Sequence, residues 1–213
     1  MGEASGHDPQ AVLDFWFPPT GFWENAEDFS AWIGERMYGG MDAAICADFA
    51  DLTAAAAERR LDHWADTPRG RLALLIALDQ FPRSLWRDTP AAYGQDIKAA
   101  RLALAGVENG HAAALRPWER LFYVVSISHC EGPDHLARFD VIDRLTETII
   151  AEMPAPLAHL GEGLRAQNVR VRGVIERFGR HPHRNPVYGR LSSPGEEAYI
   201  ATGDFPHVRT TPA

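Results

Sequence analysis

Arg116-Pro-Trp-Glu-Arg-Leu-Phe-Tyr-Val-Val-Ser-Ile-Ser-His129 decides the fold. Trp118, Leu121, Phe122 and Val125 recur at three- and four-residue intervals, and His129 continues the same stripe. That is the period of a helix with one buried face. The pattern repeats outward. Downstream, residues 134–153 place Leu136, Phe139, Ile142, Leu145 and Ile149 on one stripe, and residues 157–178 read as a helix closed by Gly179. Ser192-Ser193-Pro194 opens a last helix over 196–202. Upstream, Asp8-Pro9, Thr67-Pro68 and Thr89-Pro90 each set a capping side chain before a proline at the first helical position. They open helices over 11–17, over 67–78, and from 89 to about Glu108, the last ended by Asn109-Gly110. Two more helices, over 27–38 and 41–59, are separated by Gly39-Gly40. No run alternates with period two over the length of a strand; Val169-Arg170-Val171-Arg172 does so only briefly, inside a helical stretch. The chain is therefore expected to be all-α: antiparallel helix pairs stacked as a short tetratricopeptide-like superhelix or bundle. It reads as one helical domain over residues 1–213, frayed over 1–8 and irregular over 204–213.

Composition bounds the function. A chain of 213 residues, 46% hydrophobic, buries a full core. Its net charge of −8 argues against a general nucleic-acid binder. Charge is unevenly spread: between Arg165 and Arg190 stand seven arginines and one acid, Glu176. Such a segment on an acidic body implies an internal electrostatic seam or a local anion site. Lys98 is the one lysine, and arginine is the better bidentate partner of carboxylates and phosphates. Cys46 and Cys130 make no disulfide framework, and the first nine residues have no signal-peptide pattern. The longest apolar run, Leu72 to Leu78, is too short to cross a bilayer. A cytoplasmic protein with free thiols and no membrane partner is expected.

Two polar signatures stand out against this apolar background: Asp79-Gln80-Phe81-Pro82-Arg83 and Gly179-Arg180-His181-Pro182-His183-Arg184-Asn185. Proline pushes the residue before it out of the helix, so both read as helix ends that hold polar side chains in fixed directions. Asp79 continues the stripe of Leu72, Leu75 and Ile76, and either pairs with Arg83 at the helix end or faces a cavity. His129 is followed by Glu131 and a helix-breaking Gly132-Pro133, so that Glu131 is free to turn back. A histidine with a carboxylate is the minimum for general acid–base work. His181 and His183 point the same way if extended, which allows a chelated metal, but the neighbouring guanidinium groups repel a cation; no metal is expected. Cys130, adjacent to His129 on the helix, does not face it, and no phosphate loop, dinucleotide fingerprint or serine elbow is present, so no cofactor is expected.

At these residues the chain resembles a known family. The stretches 12–17, 78–83, 87–90, 178–185 and 188–192 resemble the domain of unknown function 924, and the likeness extends from about Ala11 to Gly203. The resemblance implies an all-helical, tetratricopeptide-like fold and no assigned activity. Its hallmark polar positions fall on Asp79, Gln80, Arg83, His129, Glu131, Arg180, His183, Arg184, Asn185 and Arg190. Ser84, Cys130 and His181 depart from it, standing where asparagine, serine and an aromatic are usual.

Two functions are expected from this. In the first, Asp79, Gln80, Arg83, Arg180, His183, Arg184, Asn185 and Arg190 bind a small anionic ligand or an acidic peptide. In the second, the protein is an enzyme in which His129 or His183 is the acid–base group, Glu131 or Asp79 its orienting carboxylate, and the arginines a clamp on a small anionic substrate. The alternative to both is a buried polar network without a ligand.

Overall fold

The computed structural model describes residues 6–206, which are all-α. In chain order the helices are α1 (Pro9–Trp16), α2 (Ala26–Met37), α3 (Asp42–Asp48), α4 (Ala50–Ala57), α5 (Pro68–Leu75), α6 (Phe81–Leu85), α7 (Asp96–Glu108), α8 (Pro117–His129), α9 (His135–Glu152), α10 (Leu160–Phe178), α11 (Asn185–Tyr188) and α12 (Pro194–Ala201). The expected boundaries are refined in three places. The helix read over 41–59 is broken at Phe49 and ends at Ala57. The one read from Thr89 to Glu108 starts as a single 3₁₀ turn, Pro90–Tyr93, before α7. A 3₁₀ turn over Ala155–Leu157 likewise precedes α10. Expectations for 1–8 and 204–213 fall mostly on residues 1–5 and 207–213, outside the described residues.

Caps explain most of these ends. Asp8 accepts from the Gln10 amide and Thr67 from the Gly70 amide, each just before a proline in the first turn. Ser193 and Glu196 form a reciprocal capping box on α12. Gly179 ends α10 with φ of 70°, a left-handed conformation that glycine adopts without Cβ strain.

Consecutive helices joined by short loops pack side by side. α7 lies on α8, α8 on α9 and α9 on α10, while α5 packs between α1, α7 and α8. This succession of antiparallel hairpins is compatible with tetratricopeptide-like stacking. α5 is the centre: Leu72 to Leu78 are wholly buried, and Trp16 reaches from α1 to stack edge-on against Phe81 (5.8 Å) and Phe122 (5.6 Å).

The expected helix end at Pro82 does not occur. The chain passes from α5 into one π turn over Ile76–Gln80 and straight on into α6. Phe81 stays helical (φ −62°, ψ −38°) although proline follows it. In a regular helix Pro82 would owe an amide hydrogen to Leu78. The π turn absorbs that defect by widening the ladder, so that the Phe81 amide bonds the Ile76 carbonyl five residues back. Its effect is to set Asp79 and Gln80, both buried, against the C-terminal end of α8.

Candidate functional site

Asp79 has no solvent exposure. His129 Nδ1 lies 2.8 Å from Asp79 Oδ1 and 3.1 Å from Oδ2, Gln80 Nε2 donates to Oδ2, and Arg83 approaches Oδ1 at 3.4 Å. Burial on its own would push the carboxyl up. The charges of His129 and Arg83 and the hydrogen bonds from His129 and Gln80 outweigh it and hold Asp79 below the usual carboxylate range. An ionised Asp79 accepts, so His129 carries its proton on Nδ1. Any proton that His129 exchanges then moves through Nε2.

Arg83 does more than pair with Asp79. It donates to Asp96 Oδ1 at 2.7 Å and to the Ala92 carbonyl. Arg184 takes the other Asp96 oxygen at 2.9 Å and bonds the His129 carbonyl at 2.9 Å. The two guanidinium groups also stack on Tyr93, at 4.7 and 4.4 Å from its ring centroid. The two signatures, about a hundred residues apart in sequence, thus converge on Asp96, Tyr93 and the end of α8.

Beside this cluster opens a pocket of about 600 Å³. Gln80, Arg83, Tyr93, His129, His183 and Arg184 line its polar part. Asp79 and Asp96 do not line it; they sit behind the side chains that do. Burial, and next Arg184, push His183 down to about 3, so its ring stays neutral, and its buried Nδ1 has no hydrogen-bond partner. The Arg184 Nε is likewise buried without a partner.

The remaining expected residues lie elsewhere. Glu131, expected as a catalytic carboxylate, turns away from His129: it accepts from the His181 amide at 2.8 Å and pairs with Arg190 at 2.5 and 3.2 Å. The cause is the break at Cys130–Pro133, which carries Glu131 towards the loop after α10 instead of back along α8. Asp79 takes the place beside His129. Arg180, expected to bind ligand, holds Glu196 in a two-pronged pair (2.6 and 2.9 Å) and so fastens α12. Asn185 bonds the Ser192 hydroxyl at 3.0 Å. None of Glu131, Arg180, Asn185 and Arg190 lines the pocket. His181 is fully buried, with Nε2 3.3 Å from the Ser128 carbonyl. No three or more metal-ligating side chains gather among the described residues. Burial raises the Cys130 thiol, which disfavours a thiolate next to His129.

Sequence reasoning missed Asp96 and Tyr93, which tie Arg83 to Arg184. No periodic or motif signal marks them. The stripe of α8 is core as its spacing implies, with Leu121 and Phe122 buried; the same stripe also borders the pocket, at the half-buried Val125 and, further on, at His129.

Over residues 12–204 the chain matches the family described as "Bacterial protein of unknown function (DUF924)", and it belongs to that family. A solved structure of a protein of unknown function from Agrobacterium tumefaciens is similar: 28% identical, covering 92% of this chain and 97% of its own, with a TM-score of 0.66. No curated protein matches the chain. Among the described residues, no helix is long and apolar enough to cross a membrane.

Proposed function

We propose that the pocket binds a small anionic molecule, with His129, held by Asp79, as the acid–base group acting on it. The observation that carries this reading is the His129–Asp79 contact at 2.8 Å in the wall of a 600 Å³ pocket. A carboxylate on one imidazole nitrogen fixes tautomer and ring orientation, the arrangement that general acid–base catalysis requires. The pocket falls within the small-molecule range of about 300–1,000 Å³, which favours a metabolite over an acidic peptide. Its charge favours an anion, because four arginines, Arg83, Arg87, Arg170 and Arg184, line it against one carboxylate, Asp88, while Asp79 and Asp96 stand behind.

A second reading rests on a specific observation. Arg83, Arg184, Asp79 and Asp96 pair with one another and so also serve as struts between the π turn, α6, α7 and the segment before α11. The two readings separate by experiment. Protein purified from cells without dialysis is examined by native mass spectrometry, and its melting is followed with phosphate, dicarboxylates and monocarboxylates. The binding reading expects a retained small anion or a raised melting temperature, lost in His129→Gln while the fold survives. A protein with no retained ligand, whose melt no anion shifts, is a strut network and the binding reading fails.

A further inference from the structure

The pocket has two chemically different ends, and α8 connects them. Eight residues separate Leu121 from His129, about 12 Å along a helix at 1.5 Å per residue. At the His129 end stand the donors: Arg83, Arg184, Gln80 and the two imidazoles. At the Leu121 end stand Leu121, Phe122 and Val125, faced by Ile33 and Met37 of α2. The position of α2 there follows from Trp32, whose ring lies edge-on to Phe122 at 6.2 Å. α10 adds Leu164 and Val171. Its polar neighbours are spent elsewhere: Asn168 bonds Thr146 at 2.9 Å, Gln167 the Pro206 carbonyl at 2.5 Å, and Arg170 bonds Asp204 at 2.6 Å. These three side chains also border the pocket, but with their polar groups already engaged, so Leu164 and Val171 are the apolar surface that α10 offers. Phe205, which also lines the pocket, stacks on His183 at the polar end, with ring centroids 5.1 Å apart.

The head of the ligand is set by charge. Arg83 and Arg184 are balanced by Asp79 and Asp96, so the buried cluster is neutral as a whole. An anion entering it meets no net opposite charge, and the cost of burying it grows steeply with its charge, so one carboxylate is favoured over two.

We infer that the ligand is an amphipathic monocarboxylic acid, its carboxylate at the His129 end and an apolar body lying along α8 towards Leu121 and Phe122. This rests on the binding reading above and narrows it to one substrate class.

The test is a homologous series of straight-chain monocarboxylates, from acetate to dodecanoate, titrated calorimetrically into the full chain with phosphate and succinate as short controls. Affinity is expected to rise roughly fourfold per added methylene until the pocket is filled, with the heat-capacity change growing more negative. Val125→Asn, at the half-buried middle of the wall, should flatten that rise. His129→Gln should weaken every member of the series by a similar factor. Circular dichroism and melting of each variant establish that it folds. If acetate, succinate or phosphate binds as well as octanoate, the amphipathic inference is overturned and the anion-binding reading stands. If long chains bind but His129→Gln leaves them untouched, the carboxylate is not at that end and the inference also falls. If nothing in the series or among the controls binds, both fall together.

Discussion

Asp79 holds a negative charge with no exposure to water, so everything that stabilises that charge must come from its neighbours. It takes one imidazole, one amide and one guanidinium to do so. Removing one partner of such a buried pair strands the others, at a cost of about 3–5 kcal/mol. Asp79→Ala is therefore expected to lower stability by that amount in urea titrations, and to let His129 lose its fixed orientation. An Asp79→Ala protein as stable as the parent would show that the cluster contributes little. Arg184 poses the same question from the other side. It is 2% exposed, shared between Asp96 and the His129 carbonyl, and stacked on Tyr93. Lysine keeps the charge but has neither the fork nor the flat face. Arg184→Lys should cost about 2–3 kcal/mol, a fall of roughly 4–12 °C in melting temperature for a chain of this size.

At the scale of elements, the π turn between α5 and α6 matters most. A proline in an apolar helix reads as a stop, and Pro82 misleads for that reason. Nothing local says that burial on every side will hold the chain in helix and widen one turn instead. The entrance to α5 depends on an equally close fit. A Cβ on Gly70 would stand 2.3 Å from the Trp64 carbonyl oxygen, a backbone atom of the preceding turn that cannot swing away. Gly70→Ala is expected to destabilise by at least 1–3 kcal/mol, measurable as a lower denaturant midpoint with an unchanged slope. At the other end of the molecule, α12 hangs on its capping box and on Arg180. Ser193→Ala should cost about 1 kcal/mol and make the amides of α12 exchange faster than those of α10. Equal exchange in both helices would show that the cap is unimportant.

For the molecule as a whole, the buried histidines set the response to acid. His135 is pushed down to about 4, first by burial and then by Arg138; His183 is pushed down to about 3, first by burial and then by Arg184. In the unfolded chain both titrate near 6.5. Below that pH the unfolded state binds more protons than the folded one, so stability rises with pH. The contribution is fully present above about pH 6.5 and is lost as the pH falls towards the folded values. Once both unfolded imidazoles are charged, the slope approaches about 2.7 kcal/mol per pH unit. The depressed Asp79 acts in the same direction at lower pH still, its contribution being lost as the pH falls through its folded value. Urea midpoints between pH 7.5 and 4.5 should show a steep fall, and His183→Gln should remove about half of the slope. A flat profile would mean that these rings are hydrated.

Helical class, most helix boundaries and the polar positions worth attention were legible in the chain, because period, caps and prolines act over a few residues. The stripe on α8 and the capping pairs at Asp8, Thr67 and Ser193 are of this kind. Family membership was legible too, through the segments around Asp79 and His183. Which carboxylate would meet His129 was not. Glu131 is two residues away and turns aside; Asp79 is fifty residues away and arrives through a π turn. Asp96 and Tyr93 had no local mark, and their importance comes from two arginines brought together by distant helices. The α8 stripe reads as core from its spacing alone, since spacing reports that a face is apolar and not whether another side chain or a cavity covers it. Short-range backbone physics determined the elements. Long-range packing alone decided which buried charges meet, and where a cavity borders the apolar face.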